Sequence, residues 1–235
     1  MSQALNISVV VPVYNEAECL RDLYDQIREA LTIYAGESEI IFVDDGSRDD
    51  SPTILQELAS ADQRVRVIFF DRNQGQHKAL QIGLTEASND IIISLDADLQ
   101  NDPQDIPLLI DKLQQGYDLV CGWRWQRQDP WPIVFKSRLG NFLQQRITGV
   151  PLHDMSCTLR AYRKPVLKGL VLRDRYEIGL IPFFISQRTD KITEIKVRHH
   201  PRAAGKSKYS FSGTFFKCTY NYLKCIRRRR DNQAG

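Results

Sequence analysis

Short apolar runs alternate with segments of helical spacing over the first 125 residues of the chain. The apolar runs are rich in β-branched residues and almost continuously hydrophobic, as expected of strands that are buried on both faces. They cover residues 7–14, 39–43, 65–70, 91–95 and 119–121. The segments between them place apolar residues three or four positions apart, which predicts helices, and a further helix is expected after Pro103. Alternation of strands and helices predicts an α/β fold with a mainly parallel sheet flanked by helices.

The pattern becomes less regular after residue 125. We predict a polar loop at 126–132, a helix at 134–147, and strands at 155–162 and 192–199. Residues 201–212 combine glycine and serines with basic side chains, which favours a mobile basic loop. Aromatic and aliphatic residues at 215–226 predict an amphipathic C-terminal helix, which four arginines follow.

Composition excludes several broad classes of protein. With 42% hydrophobic and 26% charged residues among 235, the chain resembles an ordinary globular domain, which argues against disorder. The apolar runs are far shorter than the roughly 20 residues that a membrane-spanning helix needs. The first residues lack the basic and apolar regions of a secretory signal, and the five cysteines form no CxxC pair. We therefore expect a reduced, cytoplasmic protein.

The charge is distributed unevenly along the chain. From Lys196 to the end there are eleven Lys or Arg and one acidic residue, so this part carries +10. Because the whole chain carries +3, residues 1–195 carry −7. A basic tail is also found in nucleic-acid-binding proteins, whose binding weakens steeply with salt. That class leaves the paired carboxylates described below unexplained, so we expect no nucleic-acid partner.

Polar side chains follow the first two predicted strands. Tyr14 and Glu16 come after the first strand, and Asp44 and Asp45 come after the second. One explanation is local, with Asn15 capping a helix and Asp45 beginning a turn. The other is functional, because the carboxyl ends of parallel strands meet at one edge, where ligands bind. A tyrosine ring beside two carboxylates suits a nucleobase and a ribose.

The fourth strand ends in a pair of carboxylates. Asp96 and Asp98 are two positions apart, and the amide of Gln100 follows after two more. Such oxygen ligands favour a hard divalent cation, Mg²⁺ or Mn²⁺, which keeps waters and takes further ligands from substrate phosphates. Helix capping before Pro103 explains the residues that follow but not this pair.

Together these motifs resemble those of family 2 glycosyltransferases, which have the GT-A (Rossmann-like) fold. The similarity is greatest to the polyprenyl-phosphate branch, which includes dolichyl-phosphate mannose synthases and undecaprenyl-phosphate sugar transferases, especially those of the 4-amino-arabinose type. The motifs that carry it are Pro-Val-Tyr-Asn-Glu at 12–16, Asp-Asp-Gly-Ser at 44–47, Asn-Gln-Gly-Gln-His-Lys-Ala at 73–79, Asp-Ala-Asp-Leu-Gln at 96–100, Leu-Arg-Ala-Tyr-Arg at 159–163 and the segment 202–211. The resemblance covers roughly residues 7–211.

The resemblance implies roles for individual residues. The nucleotide-sugar would be held by Pro12, Tyr14, Glu16, Asp44 and Asp45, and its diphosphate would meet Asp96, Ala97, Asp98 and Gln100. Asp98, Gln100 and Asp96 are then the expected ligands of the divalent metal. Arg202 and Lys208 of the basic loop would close over the phosphates. Arg124, Ser137 and Arg138 would receive the acceptor phosphate. Asp96, Asp98, Arg124 and Arg138 are thus the expected catalytic residues.

The chemistry of a phosphate acceptor supports the same branch. A phosphomonoester has a second pKa of about 6, so it is largely dianionic at neutral pH and needs no general base. We therefore expect an inverting, metal-dependent transfer of a sugar from a UDP- or GDP-linked donor to undecaprenyl or dolichyl phosphate. The alternative is transfer to a hydroxyl of a glycan, which requires a base, with Glu177 and Asp154 as candidates; Asp154 is rather expected to order an Arg or Lys side chain.

The expected organisation is a catalytic domain followed by a tail. Residues 1–211 form the GT-A domain, with a nucleotide-binding half at about 1–125 and an acceptor half at about 126–211. Residues 212–235 form the aromatic, basic helix and tail. Aromatic rings suit the bilayer interface, and each nearby Lys or Arg contributes ~1 kcal/mol at anionic lipid. We expect a peripheral enzyme at the cytoplasmic face that contacts the membrane through 212–230, with a separate membrane subunit as an alternative.

Overall fold

One seven-stranded sheet carries helices on both of its faces. The computed structural model describes residues 4–126 and 131–201, and for 131–133 and 135–139 it describes the backbone alone. The strands are β1 (Ile7–Val13), β2 (Ser38–Asp44), β3 (Val65–Phe69), β4 (Ile91–Ser94), β5 (Leu119–Arg124), β6 (Arg160–Arg163) and β7 (Ile192–Val197). The helices are α1 (Ala17–Leu31), α2 (Ser51–Ala61), α3 (Gln76–Glu86), α4 (Ile106–Gln114), α5 (Trp131–Thr148) and α6 (Ile181–Ser186), and three short 3₁₀ helices lie at Pro103–Asp105, Lys164–Leu167 and Glu177–Leu180.

The sheet is mainly parallel, which confirms the predicted α/β fold. Its strand order is β3-β2-β1-β4-β6-β5-β7. Only β6 runs against its neighbours, β4 and β5, and the other four pairings are parallel. All strands except β6 therefore end at the same edge of the sheet. That edge collects the residues that follow β1, β2, β4, β5 and β7.

The second half of the chain departs from the sequence pattern in places. The strand predicted at 155–162 begins only at Arg160. The carbonyl of Met155 accepts a hydrogen bond from the Arg160 guanidinium at 2.8 Å, and that of Thr158 accepts one from Ser94 Oγ at 2.7 Å. These carbonyls bond to side chains, so the segment is a buried loop rather than a strand. Helix α6 carries no predicted counterpart, and the predicted loop and helix beyond residue 201 lie outside the described residues.

The alternation of β1 explains why its sequence is apolar throughout. Val9 and Val11 face one core layer, formed with α1, α2 and α4, whereas Val10 faces the other, formed with α3 and α6. All three side chains are completely buried. Successive residues of a strand point to opposite faces, so a strand covered on both sides needs apolar residues at every position.

The helices follow ordinary rules of initiation. A proline stands in the first turn of α2, α4 and α6, where its missing N–H would have no intrahelical partner and its fixed φ suits the helix. The α1 helix buries one stripe that includes Leu20, Leu23 and Ile27. Within residues 4–126 and 131–201, no helix combines the length and the hydrophobicity needed to cross a bilayer.

A buried carboxylate ties three strands together at the edge opposite the polar one. Glu39 of β2 accepts hydrogen bonds from Ser8 Oγ at 2.6 Å, Ser88 N at 2.7 Å and Ser88 Oγ at 2.9 Å. Arg66 of β3 donates to its other oxygen at 2.8 Å. Burial acts to raise the pKa of Glu39, but these hydrogen bonds outweigh it and hold the pKa below its ordinary value. Glu39 thus contributes stability in its ionised form.

We expect Glu39→Gln to lower the free energy of unfolding by about 1–3 kcal/mol at pH 7, because buried donors lose their charged acceptor. Since the folded pKa lies below the unfolded value of about 4.3, this contribution is present above pH ~4.3 and is lost as the pH falls toward the folded pKa. Urea unfolding at pH 7 and pH 3.5 measures both effects. The control is Glu57→Gln, which alters an exposed ion pair with Arg21 and should change stability by less than about 0.5 kcal/mol. Equal losses of unfolding free energy in Glu39→Gln and Glu57→Gln would contradict the stabilising role of the Glu39 carboxylate.

Candidate active site

The loops after β1 and β2 are locked to each other at the polar edge of the sheet. The backbone N–H of Asn15 donates to Ser47 Oγ at 2.9 Å, and Asn15 Oδ1 accepts from the backbone N–H of Arg48 at 2.7 Å. Asn15 adopts φ 54°, a left-handed conformation that Asn tolerates better than most residues. It does not cap α1, whose N-cap is Glu16. The local explanation of Asn15 as a helix cap is therefore wrong, and Asn15 shapes the edge instead.

The residues predicted to hold the nucleoside lie around this junction. Pro12 is a buried residue of β1 that pairs with Val43 in β2. Tyr14 and Glu16 are half-buried at the end of the same strand. The backbone N–H of Glu16 donates to Ser51 Oγ at 3.1 Å, which ties the start of α1 to α2. The structure thus brings Tyr14, Glu16 and the end of β2 to one place, as the sequence predicts.

Asp44 has one oxygen that the described protein leaves unpaired. Its side chain is 2% exposed, and Oδ2 accepts a hydrogen bond from the backbone N–H of Ser47 at 3.1 Å. Within the described ranges, no group donates to Oδ1 although that atom is buried. A buried acceptor without a donor costs about 1–3 kcal/mol, so native proteins rarely keep one without a ligand or water. Asp44 therefore has the geometry of a ligand-binding carboxylate.

Asp45 has a different environment from its neighbour. Its carboxylate accepts hydrogen bonds from Asn73 Nδ2 at 2.9 Å, from the backbone N–H of Gln74 at 2.6 Å and from that of Gly75 at 2.9 Å. Burial raises the pKa of Asp45. Gly75 has φ 99°, which suits glycine alone, and it precedes α3. Asp45 therefore holds the loop before α3, and its direct contact with a donor nucleotide stays a prediction.

The carboxylates that follow β4 lie beside this loop. Asp96 Oδ1 accepts a hydrogen bond from Gln76 Nε2, in the first turn of α3, at 2.7 Å. Asp98 is 7% exposed, and its Oδ1 accepts from the backbone N–H of Gln100 at 3.2 Å. Between Asp98 and Gln100 the backbone turns sharply, and Leu99 has a φ of 56°. Ala97 is buried and belongs to the hydrophobic core on the α1 side of the sheet. Asp96, Asp98 and Gln100 are thus brought together as predicted.

The two aspartates repel each other. Burial, and then the negative charge of Asp98, raise the pKa of Asp96 to about 6. Among the residues that the structure describes, no group of three or more His, Cys, Asp or Glu side chains is arranged to hold a metal ion. The protein therefore offers two carboxylates and the amide of Gln100. This oxygen donor set fits a divalent cation that takes its other ligands from phosphate and water.

The β4 loop is also joined to the end of β7. Asn101 forms an antiparallel bridge with His199, and the backbone N–H of His200 donates to the carbonyl of Gln100 at 2.9 Å. Asp102 accepts from His200 Nε2 at 3.1 Å and pairs with Arg198 at 3.0 Å. The chain thus leaves the described part, at residue 201, directly beside the carboxylates. This is where the predicted basic loop begins.

Arg124, at the end of β5, is held by a buried carboxylate. Its Nε and Nη2 donate to the two oxygens of Asp154 at 2.7 and 3.0 Å. The side chains of Arg124 and Asp154 are 14% and 3% exposed. The backbone N–H of Ser156 and Nδ2 of Asn141 also donate to the Asp154 carboxylate, at 3.2 and 3.4 Å. The expectation that Asp154 orders a basic side chain is confirmed.

Among the remaining predicted residues, the structure describes the side chain of Glu177 but not those of the others. Glu177, a candidate base, is 1% exposed and accepts a hydrogen bond from the backbone N–H of Arg173 at 2.6 Å. The backbone of α5 includes positions 137 and 138. The side chains of Ser137 and Arg138 lie outside the described residues, and so do Arg202, Lys208 and the segment 212–230. Their roles stay predictions.

Sequence reasoning gave no role to Gln76, which contacts Asp96. Gln76 lies in the motif at 73–79 that contributes to the family resemblance, but a glutamine by itself carries no chemical signal. Thr158 was missed as well: its side chain acts to lower the pKa of Asp96, and its hydroxyl accepts a hydrogen bond from Asn101 Nδ2 at 3.3 Å. It comes from a loop more than 60 residues away in the chain, so only folding brings it to the site.

Comparison with known proteins identifies the family. The sequence model of the family described as "Glycosyl transferase family 2" matches residues 8–171. The chain belongs to glycosyl transferase family 2. The match extends from β1 through β6 and therefore includes the junction of β1 with β2, the carboxylates after β4, and Arg124 with Asp154. The resemblance found in the sequence is confirmed.

Several similar curated proteins within the family bear the same name. A Pseudomonas aeruginosa (strain LESB58) protein, "Undecaprenyl-phosphate 4-deoxy-4-formamido-L-arabinose transferase", is 43% identical over 205 residues, which is 87% of this chain and 60% of the relative. Proteins of that name from Pseudomonas fluorescens (strain SBW25) and Edwardsiella ictaluri (strain 93-146) are 43% and 40% identical over 94% of this chain. The chain spans about 60–67% of the length of these relatives.

Solved structures share the fold. Glucosyl-3-phosphoglycerate synthase from Mycobacterium tuberculosis, in complex with Mn²⁺, UDP and glucosyl-3-phosphoglycerate, has a TM-score of 0.69 and 22% sequence identity. The similarity covers 96% of this chain and 80% of that one. At this level of identity the likeness concerns the fold, and the GT-A architecture of the family is confirmed.

Proposed function

We propose that this family 2 enzyme transfers a sugar from a nucleotide-sugar to a polyprenyl phosphate, with inversion at the anomeric carbon. The observation that carries the proposal is the Arg124–Asp154 pair, which places a fixed guanidinium at the polar edge that also holds Asp96 and Asp98. A guanidinium held in this way suits an anionic acceptor. The name of the curated relatives, which they bear at 38–43% identity, supports the same acceptor.

The two candidate bases support a phosphate rather than a hydroxyl acceptor. Asp154 is committed to Arg124, and Glu177 accepts a backbone hydrogen bond within the protein. A hydroxyl nucleophile needs a base within hydrogen-bond reach, whereas a phosphate dianion is already nucleophilic. In the proposed reaction a phosphate oxygen forms a bond to the anomeric carbon while the bond from that carbon to the diphosphate breaks. Attack from the face opposite the leaving group gives inversion.

In this reaction, different residues of the site would contact the metal, the acceptor phosphate and the diphosphate. Asp98, Gln100 and Asp96 would hold Mg²⁺ or Mn²⁺, which supplies positive charge to the leaving diphosphate. Arg124 would orient the acceptor phosphate and reduce its repulsion from the donor. Arg138 and Ser137, and Arg202 with Lys208, belong to the same proposal as acceptor and diphosphate contacts. Location at the cytoplasmic face of a membrane, with contact through 212–230, is proposed with them.

The donor nucleoside would lie at the junction of β1 and β2. Asp44 Oδ1 would accept a hydrogen bond from a ribose hydroxyl or a base N–H, because that buried oxygen has no donor in the described protein. Tyr14 would contact the base.

Replacing Asp44 by asparagine is expected to weaken binding of the nucleoside diphosphate about 10- to 100-fold. A hydrogen bond to a charged group contributes about 1.5–3 kcal/mol, and 1.4 kcal/mol corresponds to a factor of ten in affinity. Isothermal titration calorimetry with UDP and GDP in the presence of Mn²⁺ measures the change. The matched control is Asp90→Asn, which alters an exposed aspartate at the opposite edge of the sheet. Unchanged affinity in the Asp44 variant would remove it from the nucleoside site.

The proposed acceptor is tested by a transfer assay. The enzyme is incubated with Mn²⁺, a panel of radiolabelled UDP- and GDP-sugars that includes 4-deoxy-4-formamido-L-arabinose, and one of three acceptors: polyprenyl phosphate, the corresponding polyprenol, or a soluble glycan. We expect radioactivity in the organic phase with polyprenyl phosphate alone, and mild acid should release the sugar. Transfer only to the glycan, abolished by Glu177→Gln, would establish the hydroxyl-acceptor alternative and overturn the proposal.

A further inference from the structure

A second carboxylate, half-buried and from a different strand, supports the segment that carries Asp154. Glu194 of β7 has a side chain that is 11% exposed. Its Oε2 accepts hydrogen bonds from the backbone N–H groups of His153 at 2.7 Å and Asp154 at 3.4 Å. Its Oε1 hydrogen-bonds to Nδ1 of His153. Both oxygens of Glu194 therefore bind the segment that carries Asp154.

The same segment is held from a second side by an aromatic stack. The ring of His153 stacks on Trp123 of β5, with centroids 4.2 Å apart and planes 11° from parallel. Trp123 precedes Arg124 in the chain, and β5 pairs in parallel with β7, where Cys121 lies opposite Glu194. His153, whose side chain is 60% exposed, thus contacts both the strand that carries Arg124 and the strand that carries Glu194.

These contacts form one continuous path. Glu194 fixes the backbone at 153 and 154, this backbone directs the carboxylate of Asp154, and that carboxylate holds Arg124 through two hydrogen bonds. Arg124 has a long side chain with several rotatable bonds, so its direction depends on this support. Displacement of a positioning group by about 1 Å can lower a reaction rate about 10²-fold.

We infer that Glu194 is a positioning residue for acceptor binding, acting through Asp154 on Arg124. This inference rests on the proposed function, in which Arg124 faces the acceptor phosphate. Glu194 has no contact with the carboxylates after β4 among the hydrogen bonds of the described residues. Its removal should therefore affect the acceptor and leave the donor nucleotide and its metal unaffected.

The inference predicts a specific kinetic pattern. Glu194→Ala should raise the KM for polyprenyl phosphate, or lower kcat at saturating donor, about tenfold, while the KM for the nucleotide-sugar changes less than about twofold. Glu194→Gln retains one carbonyl oxygen for the backbone N–H of His153 and should recover part of the loss. The matched control is Glu57→Ala, which removes an exposed carboxylate on α2.

A double-variant cycle separates positioning from a general loss of stability. If Glu194 acts through Arg124, the variant that carries both Glu194→Ala and Arg124→Ala should be within about twofold of Arg124→Ala alone, because residues that act in one path are not additive. Multiplied losses, or equal rises in the KM values of donor and acceptor, would overturn the inference. Thermal unfolding is measured in parallel so that each loss is compared at a temperature where all variants are folded.

A direct observation of Arg124 tests its positioning by Glu194 separately from the proposed function. In ¹⁵N-edited NMR spectra, the Nε–H signal of Arg124 should be well resolved and slow to exchange because Asp154 accepts from it. The Glu194→Ala variant should show a shifted, faster-exchanging signal, and an unchanged signal would overturn the inference. If Arg124→Ala instead leaves acceptor use unchanged while the NMR signal responds to Glu194, the proposed acceptor site fails and the positioning of Arg124 by Glu194 stands.

Discussion

Replacement of Asp98 by alanine is expected to lower the rate of sugar transfer at least about 10²- to 10³-fold, the scale of losing one preorganised group that stabilises charge in the transition state. Asp98 is 7% exposed and lies next to Asp96, whose pKa its negative charge helps to raise. Without Asp98 the site keeps one aspartate and loses its expected principal ligand for the metal. The dependence of turnover on Mn²⁺ and Mg²⁺ concentration is the measurement.

The loss should be specific to this carboxylate. Asp111→Ala changes an exposed aspartate on α4 and should leave both turnover and metal dependence as in the wild type. Binding of Mn²⁺ in the presence of the nucleoside diphosphate, followed by electron paramagnetic resonance, gives a readout that does not depend on turnover. If Asp98→Ala keeps metal-dependent turnover intact, the metal assignment is wrong.

Replacement of Arg124 by alanine should affect both activity and stability. The acceptor phosphate would lose its fixed cation, and we expect transfer to polyprenyl phosphate to fall about 10²- to 10³-fold. The change also leaves Asp154, which is 3% exposed, as a buried carboxylate without its ionic partner. Breaking a buried ion pair in this way costs about 3–5 kcal/mol. Steady-state kinetics and urea unfolding measure the two effects.

The two effects can be separated because they have different causes. In a variant with both Arg124→Ala and Asp154→Ala, the unpaired buried charge is gone, so much of the stability should return while transfer stays low. Arg124→Lys keeps the charge but loses the bidentate geometry, and it should have intermediate activity. The control is Arg28→Ala, an exposed residue of α1. Recovery of transfer together with stability in the double variant would show that Arg124 has no direct part in acceptor binding.

The fold could be predicted from local patterns as far as each element obeys a simple periodicity. The strands β1, β2 and β4 are buried on both faces, so their hydrophobicity is nearly continuous and easy to recognise. Residues 155–159 belong to the strand predicted at 155–162, whereas in the structure β6 begins only at Arg160. The carbonyls of Met155 and Thr158 accept hydrogen bonds from the side chains of Arg160 and Ser94, and hydrophobicity does not distinguish such partners from the backbone of a neighbouring strand.

In the candidate site, too, some features follow from the sequence and others depend on tertiary contacts. Asp44 and Asp45 are adjacent and chemically identical in the sequence. In the structure the Asp45 carboxylate accepts hydrogen bonds from the loop at 73–75. One buried oxygen of Asp44 accepts none from the described residues. Which aspartate remains available depends on a loop almost 30 residues away, so no local pattern can decide it.

By itself, the sequence determined the α/β alternation, the edge at which polar residues gather, the pair of carboxylates after β4 and the family, because these depend on residue type at short spacing. Only the tertiary structure decided that Asp154 holds Arg124, that Gln76 contacts Asp96 and that Glu194 supports the Asp154 segment. Each of these contacts joins residues 20 to 41 positions apart. Such contacts are set by the packing of strands and helices, which local spacing does not encode.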